Sequence, residues 1–342
     1  MRSTENLNMS ARCRRFPFGD LSNVHTVIYT ALLICIATTL FILYGRLSAR
    51  IAPNHHHGIY ISEMSLKGKD GAQEYAEKDR SCQKLLSEGR FQHDPLTWRP
   101  AGCRMHNYTA IDARRCVTSR GRPIYIVFMG DSRIRELFYT FADLFTADYK
   151  ERKKLHHHIK FQDDMLNMKL HFLWMPAVNH VQLQQLESWL AMNNSERADL
   201  IITSVAIYTQ QFSTSPSEAS KEALRQYKEN ITHIVPLIDK LKTSTKVIWR
   251  LQDPVEEDQL HGYRARFTND RINRYNQGAM ESLQHSAAEI WSSTRLVFQG
   301  CDNPTRDGIH LARLPLHWDS QILFNMFCNK FMGFNKEVCC SR

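Results

Sequence analysis

The sequence predicts an α/β domain, a parallel sheet with helices on both faces, preceded by one N-terminal membrane-spanning helix. Three observations predict it: short apolar runs that alternate with segments of helical period, one uncharged stretch long enough to cross a bilayer, and a composition able to build a packed core. The 342 residues are 43% hydrophobic and 23% charged, with 14 Gly and 11 Pro, which excludes a collagenous, low-complexity or largely disordered chain. Lys and Arg outnumber Asp and Glu by 44 to 35. That surplus suits an anionic partner, but no tight Lys/Arg run is interleaved with aromatics, so nucleic acid is not expected.

Residues 1–26 precede VIYTALLICIATTLFILY, eighteen uncharged residues at 27–44. A helix rises 1.5 Å per residue, so this run just spans a bilayer. A cleaved signal peptide would have a shorter apolar region and a better exit than Leu47-Ser48-Ala49, so 27–45 reads as an uncleaved anchor. Residues 46–80 show no durable apolar period and read as a stem, leaving 81–342 as the body. The triple-His runs at 55–57 and 156–158 read as solvated, and no metal site is expected.

Orientation follows from what lies after the span. Seven of nine cysteines do: Cys82, Cys103, Cys116, Cys301, Cys328, Cys339 and Cys340. So do three glycosylation sequons, at Asn107, Asn193 and Asn230, the last expected on an exposed helix face. Both features point to a body in an oxidising secretory lumen, hence a single-pass type II topology. The odd count leaves one thiol over, and Cys301, which sits alone, is the natural candidate.

Within the body, 123–129 (PIYIVFM) reads as a strand ended by Gly130. A helix follows, with Ile134, Leu137, Phe138, Phe141, Leu144 and Phe145 on one face. The unit repeats as strands at 170–175, 200–208 and 247–251 before helices at 181–193, 216–242 and 268–286. A fifth run, 295–298, reads as a strand before a final helix at 317–332. No GxGxxG follows any strand, which argues against a dinucleotide site.

In parallel sheets the site lies beyond the carboxyl ends of the strands, where Gly130-Asp131-Ser132 falls. Ser132 alone reads equally well as a helix cap. Asp307-Gly308-Ile309-His310 precedes the last helix, and its i, i+3 spacing can set a carboxylate against an imidazole. Alone, that tetrapeptide reads more readily as a surface His beside an acid. Together, GDS after the first strand and DxxH before the last helix resemble the SGNH, or GDSL-type, hydrolases and acetyltransferases.

MGDSRIRELFYTF, KLHFLWMPAVN, YKENITHIVPLIDKL, WRLQDPVEED, DGIHL and LFNMFCNK, in that order, resemble the lumenal part of the sialate O-acetyltransferase family over about 82–341. The resemblance implies a Golgi membrane enzyme that moves acetyl from acetyl-CoA, a donor substrate, to sialic acid, as CMP-sialic acid or a sialylated glycan, with no bound cofactor. It implies Ser132 as nucleophile, His310 as base and Asp307 as its orienter. It also implies three disulfides among Cys82, Cys103, Cys116, Cys328, Cys339 and Cys340, with the adjacent Cys339 and Cys340 choosing different partners. The GxND oxyanion element usual in the SGNH superfamily has no counterpart in SVAIYTQ after the third strand, so Asn179 is expected to assist the Ser132 N–H. Arg133 and Arg135, next to the nucleophile, are candidates for binding an anionic sugar. An esterase and a non-catalytic lumenal glycan-binding homologue remain as alternatives.

Overall fold

The computed structural model describes residues 81–93, 96–146, 156–208 and 218–341; the expected anchor and stem lie outside them. Among the described residues no helix is long and apolar enough to cross a membrane. After a helical segment at 81–87, β1 (Gly89–His93) and β2 (Leu96–Pro100) form an antiparallel pair. Helix α1 (Ala110–Ser119) is closed by a capping box between Thr109 and Asp112 and leads into β3 (Ile124–Gly130). Next come α2 (Ser132–Ala142), β4 (Ile159–Asp163), β5 (Met168–Trp174) and α3 (His180–Ala191). They are followed by β6 (Leu200–Ser204), α4 (Glu218–Leu241), β7 (Lys246–Arg250) and α5 (Asn269–Leu283). The chain then forms β8 (Glu289–Trp291), α6 (Ser293–Gln299) and α7 (Arg313–Cys328).

The main sheet has the order β4-β5-β3-β6-β7-β8. It is mixed rather than wholly parallel, because β4 runs antiparallel to β5 at one edge. The remaining neighbours are parallel. The fifth parallel strand is β8, and the run expected there, 295–298, lies in α6. Burial explains the correction: Ser293, Thr294, Val297 and Phe298 are buried while Leu296 is exposed, an i, i+4 pattern that only a helix produces. Strand alternation is clear in β3, where Ile124, Ile126 and Phe128 face one core and Val127 and Met129 the other. The first core is covered by α1, α2 and α7, the second by α3, α4 and α5. Tyr227, Ile231, Ile234, Ile238 and Leu241 form the buried stripe of α4.

Three disulfides, Cys82–Cys340, Cys103–Cys339 and Cys116–Cys328, tie the start of the body to its end across 258, 236 and 212 residues. Loops this long restrict the unfolded chain most, on the order of 5 kcal/mol for one such bridge in the chain-entropy account. Cys301 is free and buried, and its burial, reinforced by Asp319 and Asp302, pushes the thiol up to about 11. Of the sequons, Asn107 and Asn193 are exposed. Asn230 is not on an open helix face: it is half-buried and its amide donates to the Val178 carbonyl at 2.8 Å, so a glycan there would break a tertiary contact.

Candidate active site

The site forms where the sheet order reverses, at the carboxyl end of β3, with β5 on one side and β6 on the other. In register, Gly130 lies between Trp174 and Ser204. A Cβ on Gly130 would stand 2.5 Å from the Ser204 carbonyl oxygen and 2.8 Å from Ile134 Cγ1, so only glycine lets the strand end this close to both. Asp131 then caps α2, its Oδ1 accepting from the Arg133 N–H at 2.9 Å. Because Asp131 takes the capping role, the hydroxyl of Ser132, first residue of the helix, is left for another partner. Burial raises Asp131 above the usual carboxylate range, partly offset by the Arg133 charge.

That partner is His310. Its Nε2 lies 2.8 Å from Ser132 Oγ, and its Nδ1 lies 2.8 Å from Asp307 Oδ2. The other Asp307 oxygen accepts the N–H groups of Ile309 at 3.1 Å and His310 at 2.8 Å, so the carboxylate holds both the ring and the backbone that carries it. Gly308 makes the turn possible with φ +80. Its carbonyl accepts from Glu256 N–H at 3.0 Å, and Ala312 N–H closes the loop on the Pro304 carbonyl at 2.8 Å. Arg264 Nη1 reaches Asp307 Oδ2 at 3.3 Å.

Burial works to raise Asp307, but the hydrogen bonds from His310 and Ile309 outweigh it and lower the group from 3.8 to about 2. A carboxylate lowered by folding adds stability above its ordinary value and loses it as the pH falls through the folded one. Wild type should therefore lose more stability than Asp307→Asn between pH 3.8 and about 2. Superimposable acid-denaturation curves for the two would show that the carboxylate is not held in this way.

The other expected site residues have different tasks. Asn179 is the exposed N-cap of α3, its Oδ1 accepting from Val181 at 3.0 Å and Gln182 at 3.4 Å. Arg133 is 2% exposed. Its guanidinium donates to the carbonyls of Ile309 at 3.0 Å, Asp253 at 2.7 Å and Pro254 at 3.2 Å, which leaves it no access to a sugar. Arg135 is also buried, with Nη2 on Glu136 at 3.2 Å, and Glu136 in turn pairs with Arg306 at 3.2 Å. Arg135 Nη1 is buried with no hydrogen-bond partner among the described residues.

Sequence reasoning missed Tyr208. Its ring meets Trp174 edge-on at 5.5 Å, so it spans the β3 end from the β6 side to the β5 side. Its hydroxyl is near enough to Ser132 for the serine to act on the phenol's ionisation. Burial, with the Asp131 charge, raises the phenol above its usual range, which keeps it a proton donor at neutral pH. The available signal was its place four residues beyond a parallel strand. The triple-His run is local packing: His156 lies against Trp174 at 4.4 Å and His158 Nδ1 accepts the Trp174 N–H at 3.0 Å. Among the described residues no group of His, Cys, Asp and Glu could hold a metal.

No family model matches the chain. Over 262 residues, however, it is 34% identical to the N-acetylneuraminate (7)9-O-acetyltransferase of Danio rerio. This chain is a homologue of the sialate O-acetyltransferases. The aligned region covers 76% of the chain and 32% of that relative, so the chain spans about a third of the curated relative's length. Among solved structures, an acetylxylan esterase from Geobacillus stearothermophilus gives a TM-score of 0.39 at 11% identity, covering 63% of this chain and 96% of that one. A lipase/acylhydrolase from Enterococcus faecalis gives 0.36 at 11% identity, over 59% and 93%.

Proposed function

We propose that this chain is an O-acetyltransferase with an SGNH-type site that carries acetyl from acetyl-CoA, through an acetyl-serine, to a hydroxyl of sialic acid, the 9-hydroxyl of CMP-sialic acid in the first instance. The observation that carries the reading is the unbroken relay from Ser132 Oγ through His310 to Asp307, each step 2.8 Å. The homology supplies the substrate class.

His310 takes the Ser132 proton as Oγ attacks the thioester carbonyl. The C–S bond breaks, and the CoA thiolate receives that proton from His310. In the second half the sugar hydroxyl gives its proton to His310 and attacks the acetyl carbonyl, the C–Oγ bond breaks, and Ser132 recovers the proton. Asp307 orients the imidazole and stabilises its cation. The oxyanion of both tetrahedral intermediates is held by the Ser132 N–H at the positive end of α2 and by the Tyr208 hydroxyl.

The three disulfides and the exposed sequons at Asn107 and Asn193 support a lumenal body, and the uncharged run at 27–44 supports a single-pass anchor in the Golgi membrane. Incubation of the protein with acetyl-CoA and CMP-sialic acid, followed by mass spectrometry of the products, tests the reading. Acetylated sugar and an acetyl group on Ser132 are expected. Acetate without transfer would make the protein an esterase, and neither product would leave a binding protein.

Tyr208→Phe removes only the hydroxyl. If that hydroxyl stabilises the oxyanion, kcat should fall about 100-fold with KM within about threefold. An unchanged kcat would remove Tyr208 from the mechanism.

A further inference from the structure

A second concentration of chemistry lies at the opposite end of the sheet, where β3, β6, β7 and β8 begin. A cavity of about 770 Å³ opens there, and five basic side chains line it against two acidic ones. Asp199 takes Arg120 at 3.0 Å and Arg122 at 2.5 Å, as well as the Tyr125 N–H at 2.9 Å. Glu289 takes Lys246 at 2.8 Å. Lys242 and Lys330 form no ion pair among the described residues, although Asp199 attracts Lys330, and five cations against two acids leave the cavity a surplus of positive charge.

Arg120 is held in place. The Arg120 guanidinium sits 4.9 Å from the rings of both Phe327 and Phe331, and its Nη1 is buried without a hydrogen-bond partner. Thr245, 2% exposed, also lines the cavity and its hydroxyl has no partner. Burial, then the neighbouring charges of Arg120, Lys246 and Arg122, depresses Lys330 below the usual lysine range. Like charges crowded in this way repel, and an anion among them would relieve both the repulsion and the unmade hydrogen bonds.

We propose that this cavity binds a phosphate-bearing anion, with Lys242 and Lys330 supplying the uncompensated charge and Arg120 the fixed donor. A lone carboxylate carries too little charge to balance five cations set against two acids, whereas a phosphate ester or diphosphate matches the excess. Cys82 lines the cavity, and the uncharged run at 27–44 lies within forty residues upstream of it, so the phosphate has two sources: a soluble anion or a phospholipid headgroup. The site lies away from Ser132 and does not rest on the acetyl-transfer reading.

The test is thermal unfolding of the full chain in detergent micelles, with inorganic pyrophosphate against potassium chloride of equal ionic strength. Wild type should gain about 3 °C at a tenfold excess over Kd, and the gain should saturate. Lys242→Ala/Lys330→Ala should lose it. Lys221→Ala/Lys336→Ala, which removes the same charge elsewhere, should keep it. No pyrophosphate-specific gain in wild type, or an equal gain in Lys242→Ala/Lys330→Ala, overturns the proposal. A parallel titration with dihexanoyl phosphatidic acid separates the sources: tighter saturation by the lipid assigns a headgroup, and tighter saturation by pyrophosphate assigns a soluble anion. Titration by either that ignores the double substitution counts against the site. Circular dichroism of the double variant, unchanged from wild type, shows that the fold is kept.

Discussion

Ser132→Ala should abolish acetyl transfer, by a factor on the order of 1,000 or more in kcat, while leaving the melting temperature within about 2 °C of wild type. The side chain contributes one small hydroxyl whose contact runs to His310 at 2.8 Å, and α2 keeps its cap because Asp131 provides it. His310→Ala should match this loss, and the double substitution should be scarcely worse than either single one, because proton acceptor and nucleophile act in one step. Product assays with acetyl-CoA and CMP-sialic acid measure all three variants. Residual activity within tenfold of wild type would take Ser132 out of the nucleophile role and redirect attention to another acyl acceptor.

The relay could be read from the chain because its parts are local. Asp307 and His310 sit three residues apart with a glycine between them, and GDS falls at the end of a strand recognisable from PIYIVFM. Their meeting across 178 residues follows from α7, which packs in the same core as α2 and so sets the loop before it over the end of β3. Other features were hidden because one residue type serves two purposes. Asn179 has the chemistry of an oxyanion donor and equally that of an N-cap, and the structure uses it as a cap. The run at 295–298 is too short to separate a strand from one side of a helix, while β8 spans only three residues and has no period to show. The β4 edge strand reads IKFQD, with only Ile159 buried, so little apolar signal marks it. Tyr208 was missed because the strand read at 200–208 included it, whereas β6 ends at Ser204, and an aromatic at a strand end looks like core until its neighbours are known.

Arg133→Met should damage stability and catalysis together. The sequence shows only a cation beside the nucleophile, which suggests substrate binding. The structure turns it inward, where one guanidinium joins the loop after β7, through Asp253 and Pro254, to the loop that carries His310, through Ile309. It reaches Gln252 Oε1 as well, at 3.3 Å. Methionine fills much of the volume and donates nothing, so two buried carbonyls and a half-buried one lose a partner at about 1–3 kcal/mol each. The expected fall in melting temperature is about 10 °C at 2–4 °C per kcal/mol for a domain of this size. Release of Ile309 also frees the adjacent His310, and a displacement of about 1 Å at a catalytic group costs on the order of 100-fold in kcat. Arg133→Lys, should the methionine variant fail to fold, keeps the charge but cannot span four acceptors, and should show the same two losses in smaller measure. Calorimetry and steady-state kinetics on the same preparations decide between the roles. A raised KM with unchanged melting temperature and kcat would return Arg133 to the substrate, whereas joint loss of stability and kcat with little change in KM makes it the tie that holds His310 against Ser132.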